Sequence, residues 1–182
     1  KTLEKEIEAI KKLGVKIQLN TPVTDVESLL KEGYKAVFIA LGSPKGIKLG
    51  IPGEDLNGVF DAIDFLKELN LGKGPTVGKR VAIIGGGNSA IDAARVAKRC
   101  GAEKVEIFYR REKANMTAIP EEVEAAEEEG IHINPLNVPT KILGQGGRVV
   151  GVEFARMELR EFDNSGRRTP YQIAGSEYTV KA

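Results

Sequence analysis

The chain has 182 residues, with 27 Lys and Arg against 26 Asp and Glu and a net charge of +1. That length can bury the core of one domain, or of one domain and part of another, and so balanced a charge gives no field favouring nucleic acid or a membrane surface. Single Cys100 and His132 exclude a disulfide framework and a cysteine metal site within the chain, and no apolar run reaches membrane-spanning length.

Residues 2–13 predict an amphipathic helix, with Leu3, Ile7, Ile10 and Leu13 at helical spacing and Gly14 as its stop. Residues 15–19 alternate as a strand, 20–22 form a turn, and 26–31 suit a short helix. Residues 34–41, YKAVFIAL, read as a buried strand running into Gly42 and Ser43. A Gly/Pro-rich connector follows over 44–56, with IPGED at 51–55, then a helix over 59–70 and a loop over 72–78. Pro120 suits the first position of a helix ending at Gly130, with Glu121 and Glu122 complementing its dipole. Residues 131–133 predict a third strand of the same sheet type. Residues 141–144, 149–158 and 169–173 predict antiparallel strands joined by G-G and N-S-G turns, and a β-like stretch closes the chain.

The most informative segment is 79–92, KRVAIIGGGNSAID. A β-branched apolar run over 81–84 is typical of a strand covered on both faces. Glycines follow at once, then a helix with Ala90, Ile91, Ala93, Ala94 and Ala97 on one side and Gly101 as its stop. This is the context in which G-x-G-x-x-A, here Gly85, Gly87 and Ala90, binds a dinucleotide. Gly85 permits the turn, Gly87 lets the backbone approach a pyrophosphate, and Ala90 allows close packing of helix on strand. The helix dipole and free N–H groups then face the phosphates. A glycine turn that binds nothing is the competing reading.

The strand over 105–109 ends in Tyr109, Arg110 and Arg111. A carboxylate for the ribose 2′-OH of NAD is expected about 20 residues past the glycines. Two guanidinium groups stand there instead, and they suit a 2′-phosphate. The reading is NADP(H), with Lys113 assisting and Glu112 reducing the local charge. Cys100 reads as a packed or surface thiol and His132 as structural, and no metal-binding or catalytic residue is identified.

Residues 6–18, EIEAIKKLGVKIQ, run in register with 122–134, EVEAAEEEGIHIN. Either a common helix–glycine–strand pattern recurs by chance, or the chain carries parts of two related dinucleotide units. On the second reading the first unit contributes its closing strand, 35–41, and that strand is expected to fill the vacant edge beside 81–84 in one composite sheet.

The segments EIEAIKKLGVKIQLNTPV, YKAVFIALG, LGIPGEDLNGVFDAIDFL, VAIIGGGNSAIDAAR, YRR, IPEEVEAAEEEGI and RVVGVEFARMEL with DNSGRRTP resemble the small (β) subunit family of NADPH-dependent glutamate synthase and the matching module of dihydropyrimidine dehydrogenase. The resemblance implies an α/β fold, a truncated Rossmann-like FAD/NAD(P)-binding domain in three layers, its parallel sheet joined by an antiparallel β-meander. It divides the chain into 1–44, the C-terminal part of an FAD domain; 45–78, a connector with a helix; and 79–182, an NADPH domain lacking its last strand. Cofactor contacts are implied at Gly85, Gly86, Gly87, Asn88, Ser89 and Ala90, at Arg110 and Arg111, and, beside FAD, at Ala40, Leu41 and Gly42. Thr117 stands where some relatives carry a further basic residue, which implies a weaker phosphate grip. The implied activity is hydride transfer from NADPH to FAD, with electrons passing through iron–sulfur centres to the glutamate synthase large subunit or another accepting subunit. With the FAD fingerprint and the iron–sulfur segment lying elsewhere, the chain alone is expected to be inert. Related ferredoxin-, sulfur- or pyrimidine-linked flavoproteins and a non-catalytic nucleotide sensor remain open. The absence of a secretory leader pattern points to the cytoplasm, and a first residue of Lys to a piece of a longer protein.

Overall fold

The computed structural model describes residues 2–42, 45–164 and 166–182, so the expected Ser43–Pro44 junction and Ser165 of the N-S-G turn lie outside the described residues. The chain divides into two units, Lys1–Gly42 and Ser43–Ala182.

In the first unit, α1 (Thr2–Lys12) carries Glu4 in its first turn and Lys11 and Lys12 in its last, matching the dipole. The second helix, α2 (Val26–Lys31), is capped by Asp25, whose carboxylate accepts from the Glu27 N–H at 2.9 Å. None of the described residues here is buried. The strands expected at 15–19 and 34–41 do not form, and Phe38 is 92% exposed. The composite sheet is therefore not built: β1 (Arg80–Ile84) has β2 (Lys104–Tyr109) as its strand partner, and 35–41 joins no ladder among the described residues. The reason is physical. Apolar β-branched composition favours a strand only when a neighbouring ladder and two covering layers receive it, and the described part of this unit supplies two helices and no paired strand.

The second unit opens with the connector, organised by Glu54. Its carboxylate accepts from the N–H groups of Leu49, Gly50 and Ile51 at 2.6, 2.8 and 3.3 Å. Gly53, at φ +92, presses so close to the Ile142 carbonyl that no side chain fits. The next helix, α3 (Ala62–Asn70), starts later than the spacing predicts, because Asp61 caps it by accepting from Ile63 and Asp64. Then β1, α4 (Asn88–Arg99), β2, α5 (Pro120–Glu128) and β3 (His132–Pro135) build a parallel sheet in the order β1-β2-β3. An antiparallel meander follows: β4 (Asn137–Gln145), β5 (Arg148–Phe162) and β6 (Arg168–Gln172), with β7 (Tyr178–Lys181) also pairing β5. Strand β4 starts four residues earlier than the sequence suggests. Pro139 is accommodated there because β4 is an edge strand with a register shift at that point.

The parallel sheet is covered on both faces. Val81, Ile83, Val105 and Ile107 pack with Phe65, Ile91, Ala94, Ala97, Val123 and Ala126 of the helices. Ala82, Ile84 and Phe108 point the other way, onto Ile142, Val152 and Phe154 of the meander. Phe108 and Phe154 stack with centroids 4.0 Å apart and join the two sheets. These three layers hold the end of β1 and the start of α4 rigidly.

Candidate functional site

At the end of β1 the chain must reverse into α4 within three residues. Gly85 makes the turn at φ +138, which L side chains rarely adopt, and its N–H bonds the Phe108 carbonyl at 3.0 Å. Gly86 lies under Tyr109, where a Cβ would fall 2.6 Å from the ring. Gly87 stands at the N-cap with extended backbone and no side-chain cap. Ala90 is buried and faces Gly85 with Ile91, Ala93, Ala94 and Ala97 on the same helix side, as the spacing predicts.

No protein acceptor among the described residues takes the N–H groups of Gly86, Gly87, Asn88 or Ser89. Asn88 and Ser89 are exposed, and no acid occupies the first turn of α4. An unsatisfied electropositive helix tip of this kind suits an anion. The residues present therefore fit a diphosphate: free donors converge where Gly87 carries no Cβ.

The segment 112–119 forms one wall. The N–H groups of Thr117 and Ala118 both bond the Gly86 carbonyl, at 2.9 and 3.1 Å, and the Ile119 N–H bonds Asn88 Oδ1 at 2.9 Å. Asn88, expected as a cofactor contact of the phosphate loop, also caps the approach to α5. Tyr109 donates its hydroxyl to the Asn115 carbonyl at 2.9 Å. These ties were not legible beforehand, since 112–119 carries no periodic pattern.

The two arginines are treated differently. Arg110 is exposed and its guanidinium has no partner among the described residues. Arg111 is buried, donating from Nε to the Arg168 carbonyl at 3.2 Å, with Nη2 3.9 Å from Asp163. Lys113 pairs with Glu127 of α5 at 2.6 Å. Ala40, Leu41 and Gly42 belong to the first unit and are exposed, with Gly42 at φ +68. Cys100 is exposed, His132 lies exposed in β3, and no metal-binding cluster occurs among the described residues. Among them, too, no helix is long and apolar enough to cross a membrane.

Behind the site, Arg95 of α4 bonds Glu129 at 2.9 Å and pairs with Glu122, and Arg99 reaches Glu129 at 2.6 Å. The hydrogen bond from Arg95 holds the Glu129 carboxyl below its ordinary range, against the opposing effect of burial.

A parallel strand, a glycine turn and a helix with free N–H groups, covered by helices on one face and a meander on the other, define the class as a Rossmann-like FAD/NAD(P)-binding fold. The chain belongs to the pyridine nucleotide-disulphide oxidoreductase family, whose model matches residues 1–164. Among curated relatives it is 46% identical to the NADP(+)-dependent formate dehydrogenase subunit beta of Moorella thermoacetica, over 95% of this chain and 25% of that protein. It is 41% identical to the NADPH-Fe(3+) oxidoreductase subunit beta of Geobacter sulfurreducens, over 98% of this chain and 28% of that one. It is 36% identical to the glutamate synthase [NADPH] small chain of Escherichia coli, over 99% and 42%. The chain thus spans from a quarter to about two-fifths of the length of these relatives. FprA of Mycobacterium tuberculosis in complex with NADPH superposes with a TM-score of 0.71 at 22% identity, covering 85% of this chain and 50% of that one, which shows the shared fold.

Proposed function

We propose that residues 79–182 bind NADPH, and that the protein to which they belong passes its hydride to FAD and the electrons on to a partner subunit. The observation that carries the nucleotide reading is the set of N–H groups from Gly86 to Ser89, unpartnered among the described residues, beside an exposed Arg110 at the end of the next strand. The loop 85–90 receives the diphosphate. Arg110 takes the 2′-phosphate, and Arg111 fixes the strand end and adds positive charge. Three relatives whose names carry NADP(+) or NADPH support this choice of nucleotide. Residues 1–44, with Ala40, Leu41 and Gly42, contribute the rim of an FAD domain, and 45–78 connects the two.

NADPH supplies the hydride, which no side chain of this chain can accept. The chain's own part is to bind and orient, so it is expected to be inert alone. Among acceptors, the glutamate synthase large subunit is one fitting partner. The names of the other relatives favour formate- or iron-linked subunits equally well, and a cytoplasmic location suits all three.

Titration with NADPH and NADH tests the reading. Wild type should prefer NADPH, and Arg110→Ala should lose about tenfold or more of that preference, the worth of one charge-assisted contact. Equal binding of both nucleotides by wild type would defeat it. NADPH oxidation by the chain with added FAD would refute the expected inertness.

A further inference from the structure

The geometry points to Thr117 as a ligand of the diphosphate, a role the glycine motif does not assign. The inference rests on the nucleotide reading above and deepens it. Thr117 is distant from the fingerprint in sequence, yet its Oγ1 lies 3.5 Å from the point that a Cβ on Gly87 would occupy. The face of Gly87 left bare for a phosphate is therefore the face that this hydroxyl borders. Thr117 is exposed, and its hydroxyl has no hydrogen-bond partner among the described residues, so it is free to donate.

The hydroxyl is also held in place. The N–H groups of Thr117 and Ala118 share the Gly86 carbonyl, and the next N–H bonds the Asn88 side chain. Upstream, the Met116 N–H bonds the Lys113 carbonyl at 3.0 Å, and Lys113 is paired with Glu127. Thr117 is thus tied to the same turn whose N–H groups await the anion. Its hydroxyl can join them without reordering the segment, which is what preorganised recognition requires.

A donor beside Gly87 meets the diphosphate, which NADPH and NADH share, and not the 2′-phosphate. Thr117→Val removes the donor while keeping the shape. In equilibrium titrations of the 182-residue chain, it should weaken NADPH and NADH in parallel by about tenfold, leaving their ratio unchanged. Thr117→Ser, which restores the hydroxyl, should bind both as wild type does. A thermal midpoint for Thr117→Val equal to that of wild type shows that the fold is retained. Unchanged binding by Thr117→Val, with wild type still preferring NADPH, overturns the inference and leaves the nucleotide reading standing. Loss of NADPH affinity alone also overturns it, because the hydroxyl would then meet the 2′-phosphate. Failure of wild type to bind either nucleotide overturns both.

Discussion

Gly85, Gly86 and Gly87 look alike in the sequence and do three different things. Gly85 is required by its φ of +138 and Gly86 by the Tyr109 ring, whereas Gly87 has an extended backbone and leaves bare a face bordered by the Thr117 hydroxyl, 3.5 Å from where a Cβ would stand. The fingerprint names the first and third and treats the second as filler. Tyr109 shows why it is not: a Cβ on Gly86 would lie 2.6 Å from a ring that is itself buried and tethered through its hydroxyl to Asn115. Gly86→Ala is therefore expected to destabilise the chain by about 1–3 kcal/mol, as overpacking does. The ring should also be pushed off the 112–119 segment, so nucleotide affinity should fall with it. Chemical denaturation together with NADPH titration checks both effects, and a fully stable Gly86→Ala would show that Tyr109 yields freely. Arg110 and Arg111 carry a parallel lesson. Their adjacency suggests a matched pair, but neighbouring residues at a strand end point to different sides, and one guanidinium is drawn inward by the Arg168 carbonyl. Sequence spacing marks both positions alike and cannot say that Arg110 is left exposed while Arg111 is buried.

At the scale of elements, helix α4 was legible almost completely: its buried face, its start after Gly87 and its stop before Gly101 all follow from residue spacing. What spacing could not reveal is how α4 is fastened to α5, since that depends on side chains 27 and 34 residues apart. Arg95 joins Glu122 and Glu129, and Arg99 adds a second bond to Glu129. Because the Glu129 carboxyl is held below its ordinary range in the folded chain, its contribution to stability is present at neutral pH. That contribution is lost as pH falls through the ordinary carboxylate range, near about pH 4, toward the lowered folded value. Glu129→Gln should accordingly lower the thermal midpoint at neutral pH and give a shallower decline in acid than wild type. Parallel curves for the two proteins between neutral pH and the acid limb would show that the carboxylate contributes nothing through its charge. The layer contact behaves differently, being apolar and insensitive to pH. Phe154→Ala should cost about 3–5 kcal/mol at any pH at which the chain folds, because Phe154 is fully buried and stacked on Phe108.

Over the whole molecule, the two matching segments make the sharpest comparison. Residues 122–134 become α5 and β3, with Ile133 paired to Ile107 in the parallel sheet and Val123 and Ala126 in the core. Residues 6–18 contribute to α1 and then continue unpaired, with Leu13 and Ile17 exposed. Nearly the same local pattern gives a strand in one place and none in the other. The difference lies in a ladder partner that local sequence cannot specify, which is why the helices were legible to within a few residues while the strands expected at 15–19 and 34–41 do not form. It also sets an expectation for stability. A helix of 11 residues such as α1, without a buried face, is marginal in water, whereas α4 and β2 lie at the centre of a three-layer core. Hydrogen exchange of the 182-residue chain should therefore be uneven. Amides of α4, β2 and the middle of β5 should open only with global unfolding, while those of α1, α2 and 34–41 exchange close to the rate of an unstructured peptide. Removing residues 1–42 should leave the thermal midpoint of the rest, and its NADPH affinity, within error of the parent's, since among the described residues none before Phe65 belongs to the buried core. Strong protection across α1, or a collapse of the shortened chain, would defeat this expectation.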